Sequence, residues 1–288
     1  MSDWSPWQSV EPSVHCSPSV LAEVLDGGQA FRWNPTDEHS WIGSWSNHVA
    51  ELRSQDGIVQ WRAPAYIADR VSSTIAGYLR PDQDHNLRID QLPWRSDPSL
   101  ASAMDPLPGL RILRQPFGET LLCFLCSSMK QIVSIKQLCE TLAQRFGQTI
   151  VEDIDRLPTW NELHHVSESE LRSCGLGYRA RYIHGVAHYL AGQPGWLDIV
   201  ESLPYPQAKA KLMELPGVGE KIADCTLLFG GDKLEAFPVD TWIARVMKER
   251  YGLDDWSVDQ IAHFGRIHFG SNAGLAQQYL FSSARRKT

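Results

Sequence analysis

The chain has 288 residues, carries a formal net charge of −7 and is 43% hydrophobic. A chain of this length can bury a large core and form two or three domains. No apolar run reaches the ~18 residues that a membrane-spanning helix needs, so a helical membrane protein is not predicted. The negative charge argues against a uniformly basic nucleic-acid-binding protein, because Lys and Arg drive phosphate binding, although a local basic face remains compatible with it.

The first third of the chain is predicted to be rich in β-strands. Residues 10–62 are interpreted mostly as strands, with Asp56-Gly57 as a turn signal before the last of them. Residues 66–79 have helical spacing, and the helix is expected to stop before Pro81. Residues 81–118 are rich in Pro and Asp, which favours a connector with short helical turns.

From about residue 119 onward the apolar spacing is helical almost throughout. Residues 119–146 follow this pattern, with Gly147 as a plausible C-terminal cap. Further helices are predicted near residues 167–174, 179–191, 205–214, 219–229, 240–250, 257–268 and 273–285. We therefore expect an α+β protein, with a β-rich domain over residues 1–105 and a helical body over 106–288.

Cysteine usage and the N-terminus favour an intracellular protein. The six cysteines are scattered, mostly inside apolar stretches, which favours reduced and buried thiols. Residues 1–9 lack the basic start and apolar core of a signal peptide. We expect the cytoplasm or nucleoid if the source is bacterial, and the nucleus if it is eukaryotic.

Two short patterns suggest metal or redox chemistry, and both are interpreted without it. Cys123 and Cys126 have redox-motif spacing but sit in an apolar helix, so core packing is preferred. His184 and His188 stand one helical turn apart without an obvious third ligand, and no metal site is predicted there. No cysteine follows Cys225, so an iron–sulfur cluster built from four closely spaced C-terminal cysteines is not expected.

The run Leu215-Pro216-Gly217-Val218-Gly219, within residues 213–221, predicts two helices joined by a tight hairpin. Gly217 and Gly219 would let backbone amides at a helix N-terminus approach a phosphate without interference from side chains. Such a contact positions a duplex but reads no sequence. The alternative is a plain joint between two helices of a bundle, and the run alone does not decide between them.

Lys221 and Asp240 are the candidate catalytic residues. Lys221 follows the hairpin, in a helix start made apolar by Ile222-Ala223, and a desolvated lysine becomes a nucleophile. Asp240 precedes a helix, where an ionised carboxylate could face a developing positive charge. The alternatives are an ordinary surface lysine and a plain N-cap, and the two interpretations of Asp240 are compatible.

Two further stretches have both a structural and a functional interpretation. Gly27-Gly28-Gln29-Ala30-Phe31-Arg32-Trp33 is either a β-turn before an aromatic strand or part of a binding site. Gly175-Leu176-Gly177-Tyr178-Arg179-Ala180-Arg181-Tyr182 is either a capped helix junction or a set of phosphate-binding arginines. In the second interpretation, an aromatic side chain presses into a base stack.

Together these stretches resemble the helix–hairpin–helix DNA glycosylases, most closely the 8-oxoguanine DNA glycosylase/AP lyase branch. The resemblance runs from about residue 27 to residue 281, and the motifs occur in the family's order. It implies an antiparallel N-terminal β domain and a helical body whose cleft holds a flipped nucleotide. By resemblance, Lys221 is the Schiff-base nucleophile and Asp240 the essential aspartate. The Gly28 carbonyl would accept a hydrogen bond from N7–H, which 8-oxoguanine has and guanine lacks.

The resemblance also implies roles for residues that contact the base and the DNA. Cys225 and Phe281 would sandwich the flipped base, and Gln277 would pair with its Watson–Crick edge. Tyr178 and Arg179 would fill the gap in the duplex and contact the orphaned partner base. The backbone carbonyls of the hairpin positions that could hold a cation near a phosphate belong to Met213, Leu215 and Val218.

This sequence departs from the family's pattern at three positions, two in the pocket for the partner base and one that touches a phosphate. Met129 stands where an asparagine is usual, Ser134 replaces an arginine, and Trp242 replaces a histidine. The chemistry implied by Lys221 and Asp240 is unaffected. A strict preference for cytosine opposite the lesion is therefore not part of the expectation.

The implied function is a bifunctional glycosylase that excises 8-oxoguanine and then nicks the abasic site by β-elimination. The expected partner is double-stranded DNA containing an oxidised purine; a monomer is expected, and neither a membrane nor a required cofactor. One alternative is a monofunctional alkyl-base glycosylase, which would not need Lys221. Another is a non-catalytic lesion-binding module, which would keep the hairpin and lose Lys221 and Asp240.

Overall fold

The computed structural model describes residues 3–37 and 39–286, and its N-terminal part contains an antiparallel sheet. The strands are β1 (Gln8–Ser9), β2 (Trp33–Pro35), β3 (Ser40–Trp45), β4 (His48–Gln55) and β5 (Ile58–Arg62). Their order in the sheet is β1-β5-β4-β3-β2. The predicted turn joins β4 to β5, with Asp56 and Gly57 at φ values of 53° and 79°. Positive φ at both positions suits a two-residue hairpin turn.

One helix in this region was wrongly predicted as strand. Helix α1 (Pro18–Asp26) begins after Ser17, whose side chain accepts a hydrogen bond from the Val20 amide. Proline at the first helical position fits because its missing N–H would have no partner there. The Ser17-Pro18 pair was therefore a start signal that the strand interpretation overlooked.

The segment between the sheet and the helical body is more regular than predicted. Helix α2 (Ala68–Leu79) ends before Pro81, as expected. Residues 81–118 were predicted as a connector with short helical turns, and they contain two longer helices, α3 (Asp82–Gln91) and α4 (Pro98–Met104). Helix α3 buries His85 and little else, so it shows no apolar periodicity.

The helical body confirms most of the predicted helices. The stretch 119–146 is divided into α5 (Phe117–Cys126) and α6 (Ile132–Phe146), with a loop at 127–131. Three short elements were not predicted: the hairpin of β6 (Thr149–Val151) and β7 (Ile154–Asp155), α7 (Trp160–His164) and α10 (Trp196–Ser202). The remaining helices are α8 (Glu168–Leu171), α9 (Arg179–Ala191), α11 (Tyr205–Leu212), α12 (Glu220–Phe229), α13 (Thr241–Tyr251), α14 (Val258–Phe269) and α15 (Ala273–Arg286).

The sheet and the helices share one hydrophobic core, so the predicted α+β class is confirmed. Helix α12 packs on α5 and α11, while α15 packs on α4, α13 and α14. This packing leaves a cleft between the α5–α6 loop, α12 and α15. Within residues 3–37 and 39–286, no helix combines the length and the apolar character that crossing a bilayer requires.

Candidate active site

The predicted hairpin joins α11 to α12. The local structure differs at its two glycines. Gly217 has φ 77°, and a Cβ there would lie 2.4 Å from Cγ of Tyr182. Both the backbone conformation and the close ring therefore require glycine. Gly219 is the N-cap of α12 with φ −98°, and a Cβ there would meet nothing within 4 Å. The space beside Gly219 is open for a ligand to approach the backbone.

A buried charge cluster holds the two hairpin helices together. The Asp224 carboxylate of α12 accepts hydrogen bonds from the Tyr205 hydroxyl at 2.7 Å and from Lys209 Nζ at 3.1 Å, both on α11. Burial raises the pKa of Asp224, while Lys209 and Tyr205 favour its ionised form. Lys209 also pairs with Glu220, at the start of α12. The cluster sets the angle at which α12 leaves the hairpin.

Lys221 lies in the first turn of α12 and is half-buried against the C-terminal end of α5. Its Nζ donates a hydrogen bond to Ser127 Oγ at 3.1 Å and lies 5.0 Å from the centre of the Phe124 ring. Ser127 in turn donates to the Phe124 carbonyl at 2.7 Å, which fixes its hydroxyl. Ser127 and Phe124 were not predicted as neighbours of the amine. No local signal marks them, because 94 residues separate Ser127 from Lys221.

Asp240 is the N-cap of α13, as its alternative interpretation predicted. Its Oδ1 accepts a hydrogen bond from the Ile243 amide at 2.8 Å. Burial raises the pKa of Asp240, and the Ile243 amide and the Lys221 charge oppose that shift. Asp240 and Lys221 line the same recess, so the cap and the amine lie in one site.

The predicted base-contacting residues line this recess together with the two catalytic candidates. We call it the base recess; its walls include Gly28, Cys225, Gln277 and Phe281, and its volume is about 40 Å³. It lies beside a larger cleft of about 770 Å³, and Gly28, Lys221, Asp240 and Phe281 line both. Burial raises the pKa of the Cys225 thiol to about 12, so Cys225 is a neutral surface of the recess at pH 7.

Gln277 presents an open acceptor in the base recess. Its Nε2 donates to the Pro238 carbonyl at 3.1 Å, which fixes the amide group. Its Oε1 is buried and has no hydrogen-bond partner among the described residues. A buried acceptor without a partner is costly, and a ligand that donates a hydrogen bond would remove that cost.

Tyr178 and Arg179, which were both predicted to contact DNA, differ in exposure in the fold. The Tyr178 side chain is exposed, and its hydroxyl donates to Ser128 Oγ at 3.1 Å. Arg179 is buried, with its guanidinium donating to the carbonyls of Leu176 and Ser128. In this conformation Arg179 holds the 127–131 loop instead of facing solvent. Met129, at the tip of that loop, is 92% exposed with φ 52°.

The cysteine pair and the histidine pair noted in the sequence both lie outside the recess. Cys123 and Cys126 are free and buried, which confirms core packing. His164 joins the histidine pair, with its ring centre 4.5 Å from that of His188. No group of three or more side chains able to hold a metal ion was found in the described parts of the chain.

The three carbonyls predicted to hold a cation lie on the hairpin, at Met213, Leu215 and Val218. The Leu215 carbonyl accepts a hydrogen bond from the Val218 amide at 3.1 Å. A carbonyl oxygen has two lone pairs, so this bond leaves one for a cation. The cation itself stays a prediction.

Two family models match this chain over adjacent ranges. The model described as 8-oxoguanine DNA glycosylase, N-terminal domain, matches residues 13–121. The model described as HhH-GPD superfamily base excision DNA repair protein matches residues 122–265. The chain therefore belongs to the HhH-GPD superfamily of base excision DNA repair proteins, in its 8-oxoguanine DNA glycosylase branch.

Individual relatives agree with this placement. An N-glycosylase/DNA lyase of Arabidopsis thaliana is 32% identical over 91% of this chain and 76% of its own length. A probable N-glycosylase/DNA lyase of Methanothermobacter thermautotrophicus is 33% identical over 82% of each chain. The structure of a Clostridium acetobutylicum 8-oxoguanine glycosylase/lyase, bound to double-stranded DNA with cytosine opposite 8-oxoguanine, superposes with a TM-score of 0.88. That protein is 29% identical, and the match covers 99% of both chains.

Proposed function

We propose that this chain is a bifunctional DNA repair glycosylase that excises 8-oxoguanine from duplex DNA and then nicks the abasic site by β-elimination. The single observation that carries the proposal is the base recess, which unites Lys221 and Asp240 with Gly28, Cys225, Gln277 and Phe281. Relatives that match most of the chain are named N-glycosylase/DNA lyase, which supports the same two activities.

The recess recognises a flipped purine through one sandwich and two hydrogen-bonding groups. The Phe281 ring and the neutral Cys225 thiol lie against the two faces of the base. The open Oε1 of Gln277 accepts from an N–H on its Watson–Crick edge. The Gly28 carbonyl accepts from N7–H, so guanine would leave that acceptor unpaired. Flipping costs a few kcal/mol, which binding in the recess must offset.

The chemistry begins at the Lys221 amine, whose nitrogen lone pair is the nucleophile. Nζ attacks C1′ while the bond between C1′ and the base nitrogen breaks, and the electron pair leaves with the base. The Asp240 carboxylate stabilises the positive charge that develops on the sugar. One Nζ proton passes to the departing base, and the second passes to O4′ as the bond between C1′ and O4′ breaks, which leaves an imine on Nζ. Loss of a proton from C2′ expels the 3′ phosphate, which nicks the strand.

Ser127 and Phe124 orient the amine before this reaction. The Ser127 hydroxyl donates to the Phe124 carbonyl, so its lone pair faces Nζ. The position of the amine, on the border between the recess and the cleft, is therefore restrained before DNA arrives. Holding a nucleophile in place supplies part of the rate enhancement that proximity can provide.

Double-stranded DNA would bind along the cleft and against the hairpin. Backbone amides beside Gly217 and Gly219 would contact a phosphate of the lesion strand. The carbonyls of Met213, Leu215 and Val218 could add a cation at that phosphate. The side chains of Tyr178 and Met129, which are exposed, would enter the gap left by the flipped nucleotide.

Borohydride trapping tests the proposal directly. On a duplex containing 8-oxoguanine, we expect a covalent protein–DNA adduct that Lys221→Gln abolishes. Lys211→Gln is the matched control, because Lys211 lies on α11 and pairs with Glu214 outside the recess. A Lys221→Gln protein that cut abasic DNA at the parent's rate would contradict the assignment. Release of 3-methyladenine without strand cleavage would favour the monofunctional alternative.

A further inference from the structure

The loop that carries Gly28 is held at both sides of that residue. Arg285, from α15, donates through Nη1 to the Gly27 carbonyl at 2.6 Å. Gln115 donates through Nε2 to the Gln29 carbonyl at 2.6 Å. The carbonyl between them, that of Gly28, has no hydrogen-bond partner in residues 3–37 and 39–286. Gly28 lines both the base recess and the cleft.

Further hydrogen bonds hold the loop rigidly at Gln29, on the C-terminal side of Gly28. The Gln29 side chain is buried, donating to the Arg111 carbonyl at 3.0 Å and accepting from the Leu113 amide at 2.8 Å. Gln29 therefore cannot rotate without breaking two buried hydrogen bonds in addition to the one from Gln115. Its peptide plane is fixed by the body of the protein.

On the N-terminal side of Gly28, the Arg285 guanidinium connects the loop to α15, the helix that carries Phe281. Arg285 lies over the Phe281 ring, 5.4 Å from its centre, and reaches Glu23 Oε1 at 3.4 Å. Arg285 also lines the cleft. It therefore contacts the residue before Gly28 and the aromatic ring of Phe281, which lies beside Gly28 in the base recess.

Gly28 needs this restraint because its own backbone is permissive. It has φ 105°, a region that glycine enters freely, and a glycine can also leave it at little cost. Its carbonyl belongs to the peptide plane between residues 28 and 29. Fixing the planes on either side limits the directions in which that carbonyl can point.

We propose that Arg285 and Gln115 are positioning residues that fix the Gly28 carbonyl as the acceptor that senses the lesion. This inference rests on the proposed function, because it assigns the carbonyl to N7–H of 8-oxoguanine. An acceptor that is already oriented gains more from one hydrogen bond than an acceptor that must be ordered on binding. The two side chains thereby determine specificity for the lesion without touching the reacting atoms.

The experiment compares three substrates: 8-oxoguanine, 7-deaza-8-oxoguanine, which replaces N7–H with carbon, and a preformed abasic site. The main variant is Arg285→Ala, with Arg285→Lys as the conservative variant that keeps a donor. Arg286→Ala is the matched control, since Arg286 is an exposed neighbour on the same helix and the change in charge is identical. Gln115→Ala tests the hydrogen bond to the Gln29 carbonyl, on the C-terminal side of Gly28. Its control is Gln144→Ala, because Gln144 is exposed and donates a hydrogen bond to Glu140.

For Arg285→Ala, we expect kcat/KM on 8-oxoguanine to fall about tenfold to a hundredfold, while abasic-site cleavage changes by less than about threefold. The parent's preference for 8-oxoguanine over the deaza analogue should shrink by the same factor. Gln115→Ala should lose the same preference, and Arg285→Lys should keep most of it. Both control variants should behave like the parent.

Other outcomes would overturn the inference. An equal loss on all three substrates would make Arg285 a phosphate contact or a general support of the fold. Unchanged excision in Arg285→Ala and Gln115→Ala would show that the loop needs neither restraint. If Arg285→Ala does not fold, the inference is tested with Gln115→Ala and Arg285→Lys. The quantity compared is again the preference for 8-oxoguanine over the deaza analogue. A parent protein that excises no 8-oxoguanine would sink the proposed function, which is a separate result.

Discussion

At the scale of single residues, the Asp240 side chain combines an observed structural role with the chemical role that we propose for it. Its carboxylate caps α13 through the Ile243 amide, and burial makes its ionised form expensive. A pKa raised on folding means that the folded state favours the protonated form. The contribution of Asp240 to stability is therefore present at low pH and lost as the pH rises through its folded pKa.

Asp240→Asn separates these two roles. Asparagine caps helices as well as aspartate does, so we expect the free energy of unfolding at pH 7 to stay the same or rise slightly. Excision of 8-oxoguanine should fall about 10²–10³-fold, because the carboxylate charge near the sugar is lost. Urea unfolding and single-turnover excision measure the two effects. A variant that loses stability and activity together would show that the cap requires the charge.

The pH dependence of excision by the parent protein should also reflect the raised pKa of Asp240. Since the pKa of Asp240 is raised, activity should begin to fall on the acid side at a higher pH than an ordinary aspartate would give.

At the scale of elements, the hairpin between α11 and α12 sets the direction of α12, the helix that carries Lys221. The Asp224 cluster fixes the angle between the two helices from inside. Gly217 makes the turn and Gly219 leaves open space at the start of α12. The two glycines therefore predict different consequences for the same substitution.

Gly217→Ala should destabilise the protein by about 2 kcal/mol or more, because it combines a positive φ with a clash against the Tyr182 ring. Gly219→Ala has an ordinary φ and an open Cβ position, so the free energy of unfolding should change by less than about 1 kcal/mol. Its effect should be weaker binding to abasic-site duplex, since the methyl group would occupy the approach of a phosphate. Equilibrium unfolding and a binding titration at fixed salt distinguish the two variants. Equal effects of both on stability would contradict this account of the hairpin.

At the scale of the whole molecule, a carboxylate connects the sheet to the helical body. Glu119, in α5, accepts a hydrogen bond from the Ser46 amide at 2.8 Å, in the turn between β3 and β4. Desolvation raises the pKa of Glu119 to about 7, against the opposing charges of Arg32 and Arg156. Its stabilising contribution is therefore greatest below its ordinary pKa of 4.5 and is lost as the pH rises through about 7.

Glu119→Gln should remove this dependence, because glutamine keeps the acceptor for Ser46 and carries no charge. We expect the free energy of unfolding of the variant, relative to that of the parent, to rise by about 2–3 kcal/mol between pH 5 and pH 8. Urea unfolding across this range measures the difference, with Glu249→Gln as the control on an exposed carboxylate that pairs with Arg245. A difference that does not vary with pH would mean that Glu119 titrates normally.

Much of the fold could be predicted because its signals are local. Glycine at Gly217, the capping aspartate at Asp240 and the spacing of apolar residues in α9 act within one or two helical turns. The errors also have local causes: the start signal of α1 was taken for strand, and the polar helix α3 has no apolar periodicity. The 127–131 loop was missed because the apolar residues on both sides of it continue the same spacing.

From the sequence alone we predicted the helical hairpin and the candidate amine and carboxylate at Lys221 and Asp240. The distant groups that surround these two residues became known from the packing of the folded chain. Ser127 orients Lys221 from another helix, and Arg285 reaches Gly27 across a separation of 258 residues. The packing also turned Arg179 inward while leaving Met129 exposed. Periodicity and capping report what a segment does within its own few turns, whereas contacts between segments depend on how the whole core packs.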